Sequence, residues 1–363
     1  MMEPQPWILA ADASPEYILL ALGHEREIVP RCEDQEAYLS AIRGLVQAHE
    51  IDLILPNNSL EIDVLARASE TLGARTFLPA PSTLEAANSK WASYAIWREA
   101  GIPVPDTRLL VSPDTLESAF EDLQSSSGDP EGRVWVRGAG IPGKGIGVAS
   151  LPCRTVEQAS QWVDYWRGWN AMIASEYLPG KNLTWMGLFD RGRLVTSQGR
   201  ERLAYVIPHV SPSGITGAPA ISATIHDPAI NRIGEAAVRA IDPAYHGVGF
   251  VDLKGDSQGD PRVTELNAGR FGTTHFFYTA AGANFPAFLV KLAMGEALAV
   301  PTHDILEAGL TWIRTLDAGP VLTTRDAIER GDLPSLEPGA MWPRVPQKMN
   351  EFPSPGVDPR WGA

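Results

Sequence analysis

Between Trp7 and about residue 90, short apolar runs alternate with amphipathic stretches. "WILAAD" reads as a strand, and "IDLILPNN" as a strand of the buried type. "DQEAYLSAIRGLVQAHE" brings Tyr38, Ile42, Leu45 and Val46 close to helical spacing. "SLEIDVLARASETLG" is a second helix, ending at Gly73. This alternation predicts a parallel α/β layer. A further helix, "NSKWASYAIWREAG", can be capped by Asn88 or Ser89 and stops at Gly101. "IPVPDT" is then extended and stiffened by its prolines, which places a boundary near residue 104.

After that boundary the pattern changes to strands. "RVWVRG" leads into a glycine-rich loop, and "LQSSSGDPEG" before it is a surface loop. "LTWMGLF", "RLVTSQGRERLAYVI", "GVGFVDLK" and "PRVTEL" follow as strand-like runs, with a helix over about 227–241 and another in "FPAFLVKLAMGEAL". The last 33 residues hold seven prolines and little periodicity, so a surface-wrapped or partly mobile tail is expected. The expected organisation is 1–104, 105–178, 179–325 and a proline-rich tail over 326–363.

At 363 residues and 44% hydrophobic, the chain can bury a sizeable core in two or three subdomains. Its formal net charge of −14 makes it a poor generic binder of nucleic acid or anionic membrane. Cys32 and Cys153 are too few and too far apart for a disulfide framework or a zinc pattern, which suits a cytoplasmic protein. No signal peptide and no membrane span are expected from the apolar runs.

Two stretches carry chemistry. "VWVRGAGIPGKGIGVAS" nearly spells a P-loop, with Gly138, Gly143 and Lys144 in place. Gly145 stands where a Ser or Thr would hold magnesium, and "IGVAS" reads as a strand where a helix is required. What remains is a glycine loop between strands, able to lay N–H groups over phosphates, with Arg137 and Lys144 beside it. A plain hairpin with two solvated charges is the alternative.

In "FVDLKGDSQGDPRVTELNAGRF", Phe250, Asp252 and Lys254 share one face of a strand. On the second run Val263, Glu265 and Asn267 share a face opposite Thr264 and Leu266. A turn centred between Gln258 and Gly259 puts Asp252 opposite Glu265, where like charges repel. A divalent cation would resolve this, because Mg²⁺ takes one or two carboxylates plus phosphate oxygens. Asn267 would add a neutral oxygen, and Arg270 would reach a bound phosphate. The alternative is a solvated face paired with Lys254 and Arg262.

Glycine loop, paired acids, Asn and Arg in this order resemble the ATP-grasp superfamily, nearest the branch of carbamoyl phosphate synthetase and biotin carboxylase. The likeness spans most of residues 1–320. It implies an α/β fold of the ATP-grasp kind: a reduced N-terminal parallel α/β domain, a small glycine-loop lid subdomain, and a C-terminal antiparallel sheet with helices. It implies that Lys90 and Arg137 contact phosphate, with Gly138, Gly140, Gly143, Lys144 and Gly145 as the loop over it. "ASEYLPGKNLT" resembles the hinge that receives adenine, through the backbones of Glu176, Tyr177 and Leu178. Asn182 falls where the family often has a ribose-binding glutamate. Asp252, Glu265 and Asn267 would hold the metal, and Arg270 and Lys144 would steady the transferring phosphoryl group.

Three positions depart from the family pattern. The chain opens at what looks like the second strand of the usual N-terminal domain, so a reduced domain or one completed by a partner chain is expected. Asn182 replaces an acid, and "NAGR" has one residue more than the usual Asn-Pro-Arg.

The resemblance implies an ATP-dependent carboxylate–amine ligase working through an acylphosphate, with ATP and Mg²⁺ (or Mn²⁺) as cofactors. Its partners would be a small-molecule carboxylate and amine, with a homodimer as one assembly. Phosphorylation without ligation, or a nucleotide-binding regulatory protein, are the alternatives. Arg200 and Arg202 alternate on one strand face and could grip a substrate carboxylate, or be solvated beside Glu201. His275 follows "GRFGTT" and is a third candidate for the substrate pocket, whereas His209 and His246 read as structural. Trp162, Trp166 and Trp169 have helical spacing and read as lid core or an interface patch.

Overall fold

The structure is a computed structural model that describes residues 6–141, 149–215, 217–272, 275–315 and 321–330. Its amino-terminal part contains two short parallel pairs. β1 (Leu9–Asp12) runs beside β2 (Glu25–Ile28), and β3 (Leu53–Ile54) beside β4 (Arg75–Thr76). Parallel pairing is as expected, but among the described residues the pairs stay separate instead of forming one layer. "IDLILPNN" gives only two residues to its ladder. Pro56 has no N–H to donate, and Asn58 is already the cap of the next helix, accepting from Leu60 N at 2.9 Å.

Helices α1 (Gln35–His49) and α2 (Ser59–Ala68) bury Tyr38, Ile42 and Val46 against Val64, Leu65 and Leu72. A short helix, α3 (Pro81–Asn88), then leads into α4 (Lys90–Glu99), whose cap is Ser89 and not Asn88. Trp97 of α4 is fully buried and donates from Nε1 to the Ala237 carbonyl at 2.8 Å.

The middle segment is a four-stranded antiparallel sheet in the order β5 (Thr107–Leu109), β8 (Met172–Glu176), β6 (Val134–Gly138), β7 (Leu151–Cys153). Helices α5 (Pro113–Ser126) and α6 (Val156–Tyr165) cover it, burying Leu116, Phe120 and Val163 on Val134, Val136 and Met172. Trp162, Trp166 and Trp169 pack on this core, as the lid-core reading expects.

The largest sheet has seven antiparallel strands. They are β9 (Asn182–Asp190), β10 (Arg193–Tyr205), β11 (Pro219–Ile225), β12 (Gly247–Gly255), β13 (Pro261–Ala268), β14 (Leu310–Ile313) and β15 (Val321–Thr324), ordered β13-β12-β9-β10-β11-β14-β15. Helix α7 (Pro228–Ile241) covers one face with Ile230, Ala237 and Val238 packed on Leu183, Trp185, Phe189, Val251 and Leu253. On the opposite face α8 (His275–Ala280) and α9 (Phe285–Ala293) bury Phe277, Tyr278 and Phe285 against Met186, Leu188, Val248 and Phe250. Helix α9 stops well short of its expected end, because Gly295 adopts φ +84°, outside the helical range. A final short helix, α10, spans Arg325–Glu329. No helix among the described residues is long and apolar enough to cross a membrane.

Period-two alternation then creates the site. Along β9 the second face reads Leu188, Met186, Thr184, Asn182, and along β12 it reads Val248, Phe250, Asp252, Lys254. One end of this face is apolar and lies under α8 and α9, while the other is polar and charged.

Candidate functional site

The β12–β13 hairpin pairs Asp252 with Glu265 in register as expected, but not through the expected turn. Gly255 faces Pro261 and Lys254 faces Arg262, which centres the turn on Gln258 and not between Gln258 and Gly259, so the turn alone would set Asp252 opposite Thr264. The pairing has a bulge that the alternation does not reveal. The register shifts just beyond Asp252, so that Leu253 faces Val263 and Thr264 is the extra residue. Val263 therefore lies in the core with Leu253, not on the face of Glu265 as simple alternation expects. Neighbours take up the backbone groups that the bulge releases. Tyr94 Oη donates to the Thr264 carbonyl at 3.0 Å, and Val263 N–H donates to Pro103 O at 2.8 Å.

Cations gather on this rung. Glu265 meets Lys90 Nζ at 3.1 Å and Arg137 Nη2 at 3.0 Å. Asp252 meets Arg202 Nη1 at 3.3 Å and accepts from Thr184 Oγ1 at 3.2 Å. Burial opposes a charge on Glu265, but Lys90 and Arg137 override it and hold the carboxyl down at about 2. Burial likewise pushes the Lys90 ammonium below its usual value, against the pull of Glu265. Lys254 and Arg262 do not serve these acids. Lys254 donates to Asn182 Oδ1 at 3.0 Å, and Arg262 pairs with Asp256 at 2.8 Å.

Arg270 donates to Asn267 Oδ1, so the longer spacing still brings the two together. The extra residue, Gly269, has φ +78°, and a Cβ there would lie 3.0 Å from Ile62 Cγ2. Gly140 is similarly constrained, with φ +65°, and a Cβ there would lie only 2.4 Å from Asn88 O. Its neighbour Ala139 accepts from the Lys90 N–H at 2.8 Å, so this loop fixes the start of α4. Gly138 ends β6. Gly143, Lys144 and Gly145 lie outside the described residues, as does the tail over 331–363.

Glu176 ends β8, and with Tyr177 and Leu178 it lines the same cleft, of about 690 Å³, as Asp252, Glu265, Asn267, Arg137 and Arg270. The Glu176 carboxylate is tied to the Asp106 N–H at 3.0 Å. Arg133 stacks 3.9 Å over the Tyr177 ring. Gly180 N–H donates to Gly255 O at 2.9 Å, clamping this segment to the end of β12.

Arg200 and Arg202 both line the cleft, but they differ. Arg202 is committed to Asp252, whereas Arg200 is 1% exposed and its Nε and Nη1 have no partner. His275 does not itself line the cleft, but it sits behind Phe271 and Gly272, which do. Its Nδ1 lies 2.9 Å from Gly272 O at the start of α8, and its ring packs on Phe271. Sequence reasoning missed Thr184 beside Asp252, and it missed Lys254 and the tryptophans Trp162 and Trp166 as cleft residues. The in-register position of Thr184 beside Asp252 could have been found only by pairing β9 with β12. A separate cleft of about 850 Å³, lined by Arg75, Phe77, Asp190 and His246 among others, shares none of these residues.

Two carboxylates and an amide oxygen, ringed by guanidinium and ammonium groups, form a hard-oxygen set that suits a divalent cation shared with phosphate oxygens. No cluster of three or more His, Cys, Asp or Glu occurs among the described residues, so any cation there would draw further ligands from a phosphate, water or Asn267.

No family model matches the chain. Over 211 residues it is 25% identical to a D-alanine–D-alanine ligase of Laribacter hongkongensis, a match spanning 56% of this chain and 64% of that enzyme. The chain thus covers less than two thirds of that relative. Among solved structures it superposes on the biotin carboxylase domain of Hydrogenobacter thermophilus 2-oxoglutarate carboxylase with a TM-score of 0.64 and 15% identity, over 84% of this chain and 68% of that one. An L-amino acid ligase of Bacillus licheniformis gives 0.57 and 17%, over 79% and 67%. The N5-carboxyaminoimidazole synthetase of Staphylococcus aureus gives 0.60 and 12%, over 85% and 75%. With these neighbours, the small antiparallel sheet, the large sheet and the cleft between them are those of the ATP-grasp fold.

Proposed function

We propose that this chain is an ATP-dependent ligase that activates a carboxylate as an acylphosphate and passes the acyl group to an amine. The observation that carries the reading is the Asp252–Glu265 rung, with Arg137, Arg202 and Arg270 lining one cleft beside it and Lys90 meeting Glu265. The named relative joins two amino acids, and the Hydrogenobacter domain was solved with MgADP and bicarbonate, in keeping with such chemistry.

In the reaction, a carboxylate oxygen attacks the γ-phosphorus of ATP, the bond to the bridging oxygen breaks, and ADP leaves. The amine nitrogen then attacks the acyl carbon, phosphate departs with the bonding pair, and the nitrogen loses a proton. No covalent bond to the protein is needed, so catalysis is positioning and charge stabilisation. Magnesium held by Asp252, Glu265 and Asn267 would supply charge neutralisation at the phosphates. Lys90 and Arg137 exchange Glu265 for phosphate oxygens, and Arg270 stabilises charge on the transferring group. Backbone groups of Glu176 to Leu178 take the adenine edge, and Asn182 with Lys254 lies beside the ribose. Residues 105–178 then act as the lid and 179–325 as the catalytic half. Because the Hydrogenobacter domain was solved as a dimer, a homodimer is the assembly to look for.

The test is ADP release across a matrix of carboxylates and amines, with the product identified by mass. ADP formation that needs both substrates, with an amide product, is the expected result. ATP binding without ADP formation throughout the matrix would refute the ligase reading.

A further inference from the structure

Arg200 stands apart from the other cations of the cleft. It lies on the rung that runs Arg200, Thr184, Asp252, and its strand neighbour on the other side is Thr224. Lys90 and Arg137 have Glu265, and Arg202 has Asp252. Arg200 is 1% exposed, and no acid among the described residues pairs with it. Its guanidinium sits 5.3 Å from the centre of the Phe250 ring. A cation–π contact offsets only part of the cost of burying a charge. Burial pushes the Arg200 guanidinium down to about 10, a departure that no acid nearby reverses.

Its surroundings are rich in donors. Tyr278 Oη, Tyr205 Oη and Ser222 Oγ are buried without a partner. Tyr278 and Tyr205 both interact electrostatically with Arg200, and Ser222 is the strand neighbour of Arg202. A group that satisfies such a set must accept hydrogen bonds and carry negative charge. A carboxylate does both, and Arg binds it in a two-pronged fork.

The same cleft constrains what lies next to that carboxylate. Its lining acids are Glu176, Asp252 and Glu265 among the described residues. Glu176 is held by the Asp106 N–H, and on the ligase reading the other two are the magnesium ligands. None remains to pair with an ammonium. Phe250, the ring under Arg200, is apolar, and Phe271, Val210, Pro212 and Ile215 also line the cleft.

Resting on the ligase reading, we infer that the acid substrate is a monocarboxylate with an apolar body and no adjacent ammonium, anchored by Arg200. A free α-amino acid is excluded from this half of the reaction, because its ammonium would be buried beside a guanidinium. An N-acylated amino acid or a simple aliphatic or aryl acid fits.

The test reads binding, not turnover. The full chain is titrated calorimetrically with hexanoate, N-acetyl-L-phenylalanine, L-phenylalanine and succinate, with and without MgADP. Hexanoate and N-acetyl-L-phenylalanine are expected to bind at least tenfold more tightly than the other two. Arg200→Met should lose at least tenfold of that affinity, keep its ATP affinity within threefold, and melt no lower than the parent. Arg200→Lys should keep part of the affinity, since it keeps the charge without the fork. Three results would overturn the inference: L-phenylalanine binding more tightly than its N-acetyl form, undiminished carboxylate affinity in Arg200→Met, or a lower melting temperature with ATP affinity lost as well. The two readings fail separately. Arg200-dependent carboxylate binding with no ADP release sinks the ligase and leaves the anchor. ADP release with free amino acids as the acid substrate, unaffected in KM by Arg200→Met, does the reverse.

Discussion

Glu265→Gln separates the structural and chemical parts of the rung. One carboxylate serves Lys90 at 3.1 Å and Arg137 at 3.0 Å. At an effective dielectric of about 20, each contact is worth about 5–6 kcal/mol before desolvation is counted. Most of that is offset by the cost of burying the charges, yet removing one member of a buried pair still costs about 3–5 kcal/mol. A glutamine can offer its one carbonyl to a single cation and turns its NH₂ donors toward the other. The variant should therefore melt roughly 6–20 °C lower, at about 2–4 °C per kcal/mol. The pH dependence checks the cause. The folded-state carboxyl is held at about 2, below its unfolded value, so its contribution is present above the unfolded value and lost as pH falls toward 2. Glu265→Gln should flatten that acid limb of the stability curve. Calorimetry with nucleotide is the second arm. With Lys90 and Arg137 released, metal-free ATP should bind more tightly than to the parent, while magnesium should no longer improve binding. A melting temperature within about 2 °C of the parent, or an unchanged magnesium effect, would refute the reasoning.

Three further substitutions test neighbouring parts. Arg270→Ala should lower kcat by about a hundredfold or more while leaving the ATP dissociation constant within threefold, because its charge acts on the transferring group; near-normal turnover would sink that assignment. Gly140→Ala places a Cβ 2.4 Å from Asn88 O at φ +65°. It should destabilise by about 2–5 kcal/mol and weaken ATP binding through the displaced start of α4, as urea melts and calorimetry would show. His246, packed 3.9 Å from Phe77, has its imidazole pushed down by burial. The unfolded chain thus takes up its proton first, so stability falls as pH drops through about 6.5, and His246→Phe should reduce that fall between about pH 7 and 5.

Much of the site was legible from the strand pattern alone. The facing of Asp252 and Glu265 was expected from the strand pattern, although the bulge at Thr264 produces it and not the turn alone, and the helices follow from their apolar spacing. The split between Arg200 and Arg202 was not, because two arginines on one strand face look equivalent until β9 and β11 are set beside them. His275 stands one step back from the cleft for a related reason. Its distance from "NAGR" is short, but α8 begins there and turns the ring toward Gly272.

The bulge at Thr264 was the least legible feature, and it depends most on distant chain. A two-for-one mismatch leaves backbone groups that must be satisfied from outside the ladder. They are satisfied by Tyr94, 170 residues before Thr264, and by Pro103, which also lies far back in sequence. Tyr94 lies on α4, between Lys90 and Trp97. These three residues share one helical face, spaced by four and then three. Lys90 reaches Glu265, Tyr94 reaches the bulge beside it, and Trp97 anchors the helix to α7 behind the sheet. A periodicity that reads only as an amphipathic helix is therefore also the device that sets the hairpin's register. Moving α4 would shift the acid pair and its first cation together, so Trp97→Ala should impair nucleotide binding as well as stability, although Trp97 does not itself line the cleft.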